Sequence, residues 1–180
     1  MQQTDSRQIV DIGALKAQVD AEIAARLLSE ADSARHIHRR GFNVGEWKLL
    51  VGMGDASEVA EMPPLFRLPG APSGVRGLVN RHGRVVPVLD LATLSGTGRE
   101  RVASPWLLVY GWGDEAVGIM IDSLPDRKKF AEDDRIGLEE VSHPAALHAR
   151  AAYRQGGDIW IDPDMEALFA SVFQVDPHVL

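Results

Sequence analysis

Residues 77–91 constrain the fold of this chain more than any other segment. They read Gly77-Leu-Val-Asn80-Arg81-His82-Gly83-Arg84-Val-Val-Pro87-Val-Leu-Asp90-Leu. Val85, Val86, Val88 and Leu89 are apolar, and all but Leu89 are β-branched, which suits a pleated, largely buried strand. The preceding Asn80–Gly83 tetrad is turn chemistry, because glycine tolerates positive φ and asparagine hydrogen-bonds its own backbone. Pro87 has no N–H to give to a ladder, so the strand is expected at a sheet edge or with a bulge there. A turn feeding a strand that stops at Asp90 implies β architecture rather than a helical bundle.

The remainder of the chain agrees from Phe42 onward. Leu49, Val51 and Met53 alternate with small or polar residues, and Pro63-Pro64 and the Pro69 to Gly74 cluster break the pattern. Two apolar runs, Trp106–Tyr110 and Val117–Ile121, flank Gly113-Asp-Glu, the spacing of a β-hairpin. Val59 and Met62 belong to a further short apolar stretch, and Ala92 and Leu94 begin a short helical turn. Residues 95–101, Ser-Gly-Thr-Gly-Arg-Glu-Arg, form the best internal linker. Residues 159–168 echo residues 86–94: apolar strand, Asp, short apolar helical turn. In each, Asp90 or Asp162 sits where a helix N-cap is wanted, with Pro163 in the following position. The echo implies two similar small β-barrels, about 42–98 and 99–180. Between these segments, residues 130–155 are long for a structureless connection, and the Ala-rich stretch 144–154 is expected to be partly helical.

Residues 9–37 differ. Leu15, Val19, Ile23 and Leu27 recur every four residues with Ile12 and Leu28 alongside, Asp11 is a candidate N-cap, and five alanines add helix propensity. Glu22 and Arg26 make an i,i+4 pair. The helix is expected to end through His36-Ile-His38-Arg-Arg to Gly41, giving a helical extension over residues 1–41. Its stripe would cover the body of the protein or pair with a second copy or a partner helix, so residues 9–37 are a candidate homo-oligomer contact.

Composition excludes several classes. Hydrophobic residues make up 45% and charged residues 25%, against wholesale disorder. With no cysteine, disulfides, Cys-based zinc sites and thiol nucleophiles are excluded. The N-terminus lacks a signal-peptide pattern, and no apolar run approaches the roughly 20 residues of a membrane span, so a cytoplasmic protein is expected. The whole net charge of −7 arises in residues 91–180, which argues against nucleic acid as the general partner. The exception lies between Glu61 and Asp90, where Arg67, Arg76, Arg81 and Arg84 stand without a carboxylate. They are either solvated side chains or a positive patch for an acidic partner segment.

Catalytic and metal chemistry finds little support. His36 and His38 do not share a helix face, and His143 and His148 flank the Ala-rich segment, so neither pair supplies three converging ligands. Asp162 and Asp164 straddle a proline and suit helix capping better than acid–base work. The acidic runs Glu132-Asp-Asp134 and Glu139-Glu140 read as solvated loops. There is no phosphate-loop lysine after the Gly-rich linker and no Gly-X-Ser-X-Gly elbow. Trp47, Trp106, Trp112 and Trp160 could stack bases with the arginines, as in a single-stranded nucleic-acid binder on a small β-barrel, but tryptophans in strands usually serve core or rim. No cofactor or metal is expected, and the chain is expected not to be an enzyme.

With these residues on the page, the chain resembles the CheW-like coupling proteins of bacterial chemosensory arrays. The likeness begins at Phe42-Asn-Val-Gly45 and passes without a gap through Ser57-Glu58-Val59, Arg67-Leu68-Pro69 and Pro72 to residues 77–91. It resumes at Val117-Gly-Ile-Met-Ile-Asp122-Ser-Leu124 and at residues 159–168. The helical N-terminus followed by Arg40-Gly-Phe42 looks most like the coupling proteins of type IV pilus, or twitching, systems. The resemblance implies two five-stranded SH3-like β-barrels sharing a core, with an extra N-terminal α-helix before a domain over 42–180. It further implies a non-catalytic adaptor between a chemoreceptor's cytoplasmic helical hairpin and the regulatory domain of a CheA-type histidine kinase, held at membrane-associated receptor arrays without membrane insertion. A divergent relative that has lost receptor binding is the alternative within the family.

In the family the receptor tip lies in the groove between barrels, and the matching positions are Ala56, Glu58, Gly77, His82 and Leu124. The family usually reads Asn-Leu-Arg-Gly where this chain reads Asn80-Arg81-His82-Gly83. A histidine therefore stands where an arginine would pair with the carboxylate matching Glu58. Arg81 joins the candidate set as its neighbour, but in an extended segment it would point to the opposite face.

Overall fold

The computed structural model describes residues 12–95 and 105–173. Two expectations, the Asp11 cap and most of the linker at 95–101, fall outside the described residues. The chain divides into two compact units, residues 1–37 and residues 38–180. The first unit carries helix α1 (Ile12–Arg35). Leu15, Val19, Ile23, Leu27 and Leu28 are all exposed on it, between 46% and 72%. A spacing of four residues advances 400° around a helix, so the stripe drifts about 40° per step and is less one-sided than its regularity suggests.

The helix ends at Arg35, six residues before the expected glycine stop at Gly41. His36 opens strand β1 (His36–Val44), which pairs antiparallel with β2 (Trp47–Val51) in the register Arg40↔Val51, Gly41↔Leu50. Gly41 serves close approach rather than helix termination: a Cβ there would lie 2.5 Å from Cζ3 of Trp160.

The remaining strands are β3 (Ala56–Glu61), β4 (Val75–Arg81), β5 (Arg84–Leu89), β6 (Trp106–Tyr110), β7 (Val117–Ile121), β8 (Asp126–Ala131), β9 (Arg135–Ile136), β10 (Ala149–Gln155) and β11 (Asp158–Pro163). Helix α2 (Met165–Phe173) follows β11. The fold is mainly β, in two barrel-like sheets. One has the order β8-β1-β2-β11-β10-β9, its sixth member being the two-residue β9; the other has the order β3-β6-β7-β5-β4. The expected division at residue 98 does not separate them. β6 and β7 join the strands of the first half, while β1 and β2 join those of the second. Each sheet contains a parallel pairing, Ile161↔Leu49 in the first and Val88↔Gly118 in the second, and in each a helical element follows the echo strand, β11 or β5.

The echo is offset at its caps. Asp90 Oδ1 accepts the Ala92 N–H and opens a 3₁₀ turn, as expected. For α2 the cap is Asp164, whose Oδ1 accepts the Ala167 N–H at 3.1 Å. Asp162 is buried in β11 and is held by Arg39 Nε at 2.8 Å instead, with Pro163 the last residue of the strand. The Ala-rich segment is partly helical, as expected: residues 144–148 form a 3₁₀ turn, and residues 149–155 are strand. Ala151, Ala152 and Tyr153 are buried there between β9 and β11, so ladder pairing overrides alanine's helix propensity.

One core joins the two sheets. Phe42, Leu49 and Ile161 of the first sheet share a buried cluster with Leu89, Leu108 and Ile119 of the second. Met165, Leu168, Phe169 and Val172 of α2 close it, at the i, i+3, i+4, i+7 spacing of one helix face. A smaller cluster, including Val79, Val86, Leu107 and Val109, fills the other face of the five-stranded sheet. β6 is apolar without alternation because both of its faces are covered. β5 lies inside the sheet rather than at an edge, and the register shift falls on its partner β4 between Val75 and Gly77. Pro87 is tolerated because the Leu78 N–H and C=O bond to Phe66, not to Pro87, and β5 pairs with β7 only from Val88.

Candidate functional site

The five-stranded sheet has β3 and β4 as its two edges, and a pair of side chains joins them. Arg81, at the end of β4, donates from Nη2 to Glu58 Oε1 on β3, and His82 Nε2 lies 3.3 Å from Glu58 Oε2. Glu58 and Arg81 are each about a quarter exposed, so solvent screens the pair and its worth is about 1 kcal/mol. Around them lies a cleft of about 600 Å³, with Val86, Val109 and Ala116 as its floor and Arg84 and Trp112 at its rim.

Local backbone chemistry explains who reaches Glu58. His82 has φ +51° and Gly83 φ +81°, so these residues form the tight turn between β4 and β5; Asn80 Oδ1 accepts the Gly83 N–H at 3.0 Å. Histidine is among the side-chain residues that tolerate this region. The strand therefore ends at Arg81, which shares a face with buried Val79 and looks into the cleft. The expectation that Arg81 would point away assumed extension through residue 82. Both side chains instead meet Glu58 from one side, though His82 remains 78% exposed. Arg81 Nε is buried with no acceptor among the described residues.

Glu58 is aimed by a register shift. Ala56 pairs with Tyr110 and Glu58 with Val109, leaving an extra residue between them. Without it the two side chains would share a face; with it Ala56 joins the inter-sheet core and Glu58 turns to the cleft. Glu58, Arg81 and His82 thus come together, and the other three candidates do not line the cleft. Ala56 is buried. Gly77 has φ +144°, and a Cβ on it would lie 2.2 Å from the Phe66 carbonyl oxygen, so its role is to admit that neighbouring backbone. Leu124 is exposed on the segment between β7 and β8, where Asp122 N–H and Ser123 Oγ bond to Asn43 of β1.

The four arginines of residues 61–90 divide between two places. Arg81 and Arg84 line the cleft, while Arg67 and Arg76 line a smaller depression of about 220 Å³ with Leu65 and Leu68. Arg76 Nε lies 3.8 Å from Asp90. The tryptophans also separate: Trp47 and Trp160 are buried, the latter beneath the Lys128 ammonium at 4.7 Å, whereas Trp112 is 69% exposed. Sequence alone groups Trp112 with the other three tryptophans, although its place between two hairpin glycines, Gly111 and Gly113, sets it apart.

His143 serves structure. His143 Nδ1 accepts the Ala145 N–H at 3.2 Å, its ring meets Trp47 edge-on at 4.3 Å, and burial holds its pKa below the usual imidazole value. Asp164 is held below the ordinary carboxylate range by the Ala167 N–H and by Arg150. Among the described residues no three His, Asp or Glu side chains gather as a metal site.

The fold and sequence match known proteins. Residues 41–173 match the CheW-like domain. Protein PilI of Pseudomonas aeruginosa is 28% identical over 132 residues, covering 73% of this chain and 72% of that protein. Protein FrzA of Myxococcus xanthus is 32% identical over 118 residues, covering 65% and 74%. Chemotaxis protein CheW of Thermotoga maritima is 21% identical over 142 residues, covering 79% and 93%. The crystal structure of the scaffolding protein TtCheW from Thermoanaerobacter tengcongensis superposes with a TM-score of 0.64, at 19% identity, across 73% of this chain and 86% of that one. With the match spanning both sheets, the shared core and α2, this chain belongs to the CheW-like domain family.

Proposed function

We propose that this protein is a non-catalytic adaptor that couples a chemoreceptor's cytoplasmic helical hairpin to the regulatory domain of a CheA-type histidine kinase in a chemotaxis or twitching-motility array. The observation that carries the reading is the family match over residues 41–173, joined to relatives known as a chemotaxis protein and as protein PilI. The work of such a protein is simultaneous occupation of two surfaces, each contact modest and the array supplying avidity. The cleft at Glu58, Arg81 and His82 is one such surface: a half-buried ion pair over an apolar floor. Its place is the cytoplasm beside membrane-bound receptors; no helix among the described residues is long and apolar enough to cross a membrane.

A second reading keeps the kinase contact and drops the receptor. It is favoured by the scatter of the groove positions, since Ala56 is buried and Gly77 lies under the Phe66 backbone. Co-sedimentation of the full chain with receptor fragments and kinase from the same genome decides between the two. The adaptor reading expects the chain in the pellet with both; capture by the kinase alone selects the second reading, and capture by neither rejects both.

A further inference from the structure

We infer that the cleft of the five-stranded sheet takes a partner protein segment in which an apolar side chain stands beside a carboxylate, with Trp112 and Arg84 as the recognising residues. The inference rests on the adaptor reading of the same cleft and adds the chemistry of what enters it.

Trp112 is 69% exposed, while Trp47 and Trp160 are 4% and 7% exposed. It sits between Gly111 at φ +77° and Gly113 at φ +65°, in the turn joining β6 to β7. Two left-handed residues make the turn short and its shape specific, so the indole is presented in place rather than on a long loop. Beneath it Val86, Val109 and Ala116 are 3%, 5% and 8% exposed, an apolar floor at the bottom of about 600 Å³. That volume suits one or two large apolar side chains.

The charge of the cleft names the second half of the ligand. Its carboxylate, Glu58, is already held by Arg81 and His82. No carboxylate of the described residues pairs with Arg84, whose Nη1 lies 3.9 Å from the point a Cβ on Gly113 would occupy. The guanidinium therefore rests beside the tryptophan hairpin. Asp114 and Glu115 belong to that hairpin but do not line the cleft. An exposed tryptophan, an arginine with no carboxylate partner among the described residues, and an apolar floor are the composition of binding hot spots, and the remaining positive charge calls for an anion. A nucleic-acid strand also offers anions and flat rings, but the chain's net charge of −7 opposes it.

The test is a ¹H–¹⁵N titration of the full chain, reading the Trp112 indole signal, assigned with Trp112→Phe. The probes are Ac-Leu-Glu-Phe-Glu-Leu-NH₂, its lysine counterpart Ac-Leu-Lys-Phe-Lys-Leu-NH₂ and a thymidine oligonucleotide. The acidic peptide is expected to shift the indole saturably, and Arg84→Gln to weaken that binding about fivefold and flatten its salt dependence. Trp112→Ala, followed through Val109 and Ala116 amides, is expected to weaken it about tenfold. An unmoved indole, an equal response to the lysine peptide, or saturation by the oligonucleotide alone overturns the proposal. The adaptor reading is separable: if the wild-type chain and both variants capture the kinase regulatory domain and receptor equally, the cleft chemistry falls and the adaptor stands. If the wild type captures neither partner, the adaptor reading falls and the peptide titration decides the cleft.

Discussion

The two faces of the five-stranded sheet are made by the same strands and do different work. On one face Leu89, Leu108 and Ile119 are fully buried in the core shared with the other sheet. On the other, Val86 and Val109 floor a cleft whose mouth carries Glu58, Arg81, Arg84 and Trp112. Period-two alternation keeps the jobs one residue apart, and the register shift in β3 gives Ala56 to the core and Glu58 to the cleft. Core packing and the proposed recognition surface thereby fall on interleaved residues, so substitutions at adjacent positions should separate stability from binding.

The largest effect tests the packing side. Gly77→Ala should cost about 3 kcal/mol or more in denaturant unfolding, because the new Cβ meets the Phe66 carbonyl in a left-handed backbone. Retention of wild-type stability would break this reading of Gly77. Next, Leu108→Ala should destabilise by about 3 kcal/mol, yet leave ligand binding in the cleft unchanged in the material that remains folded. Loss of binding in folded Leu108→Ala would show that the faces are not independent.

How much of this was legible depends on how local each feature is. β5, β6, β7 and the Asn80–Gly83 turn were readable because apolar pattern and turn residues lie side by side in the chain. The interleaving of the sheets was not, since Ile161 meets Leu49 and Val88 meets Gly118 only through long-range parallel pairing. His36 to Gly41 looked like a helix end because its pairing partner, β2, and the Trp160 ring lie elsewhere in the chain. The same holds at Ala149 to Arg154, whose composition favours a helix and whose neighbours impose a strand. In the candidate site, Glu58 and His82 were found by resemblance, but the aim of Arg81 turned on a single residue: whether the strand stops before or after His82. The offset from Asp162 to Asp164 as helix cap is the same kind of small shift.

Smaller effects sharpen the cleft side. A double-mutant cycle of Glu58→Ala and Arg81→Ala should return a coupling of about 1 kcal/mol, and the charge-swapped pair Glu58→Arg with Arg81→Glu should recover most of it. No coupling would mean that the two edge strands are held by backbone shape alone.

The smallest effect is a pH dependence on the core side. His143 is held neutral by burial, so its folded pKa lies below the unfolded one. Between the two values the unfolded chain binds more protons, and stability falls as pH drops through the imidazole range below about 6.5. His143→Gln should flatten that decline in unfolding midpoints measured from pH 7.5 to pH 5.5. An unchanged slope would assign the acid loss to other groups.

On the proposal above, this sheet's outer cleft binds protein while its inner face holds the fold. The most direct measurement is capture of a CheA-type kinase regulatory domain and a receptor cytoplasmic fragment, from the same genome, by the wild-type chain and by Glu58→Arg. Wild type should take both partners, whereas Glu58→Arg should keep its circular dichroism spectrum but lose at least one partner. Equal capture by both chains, or by neither, would contradict it.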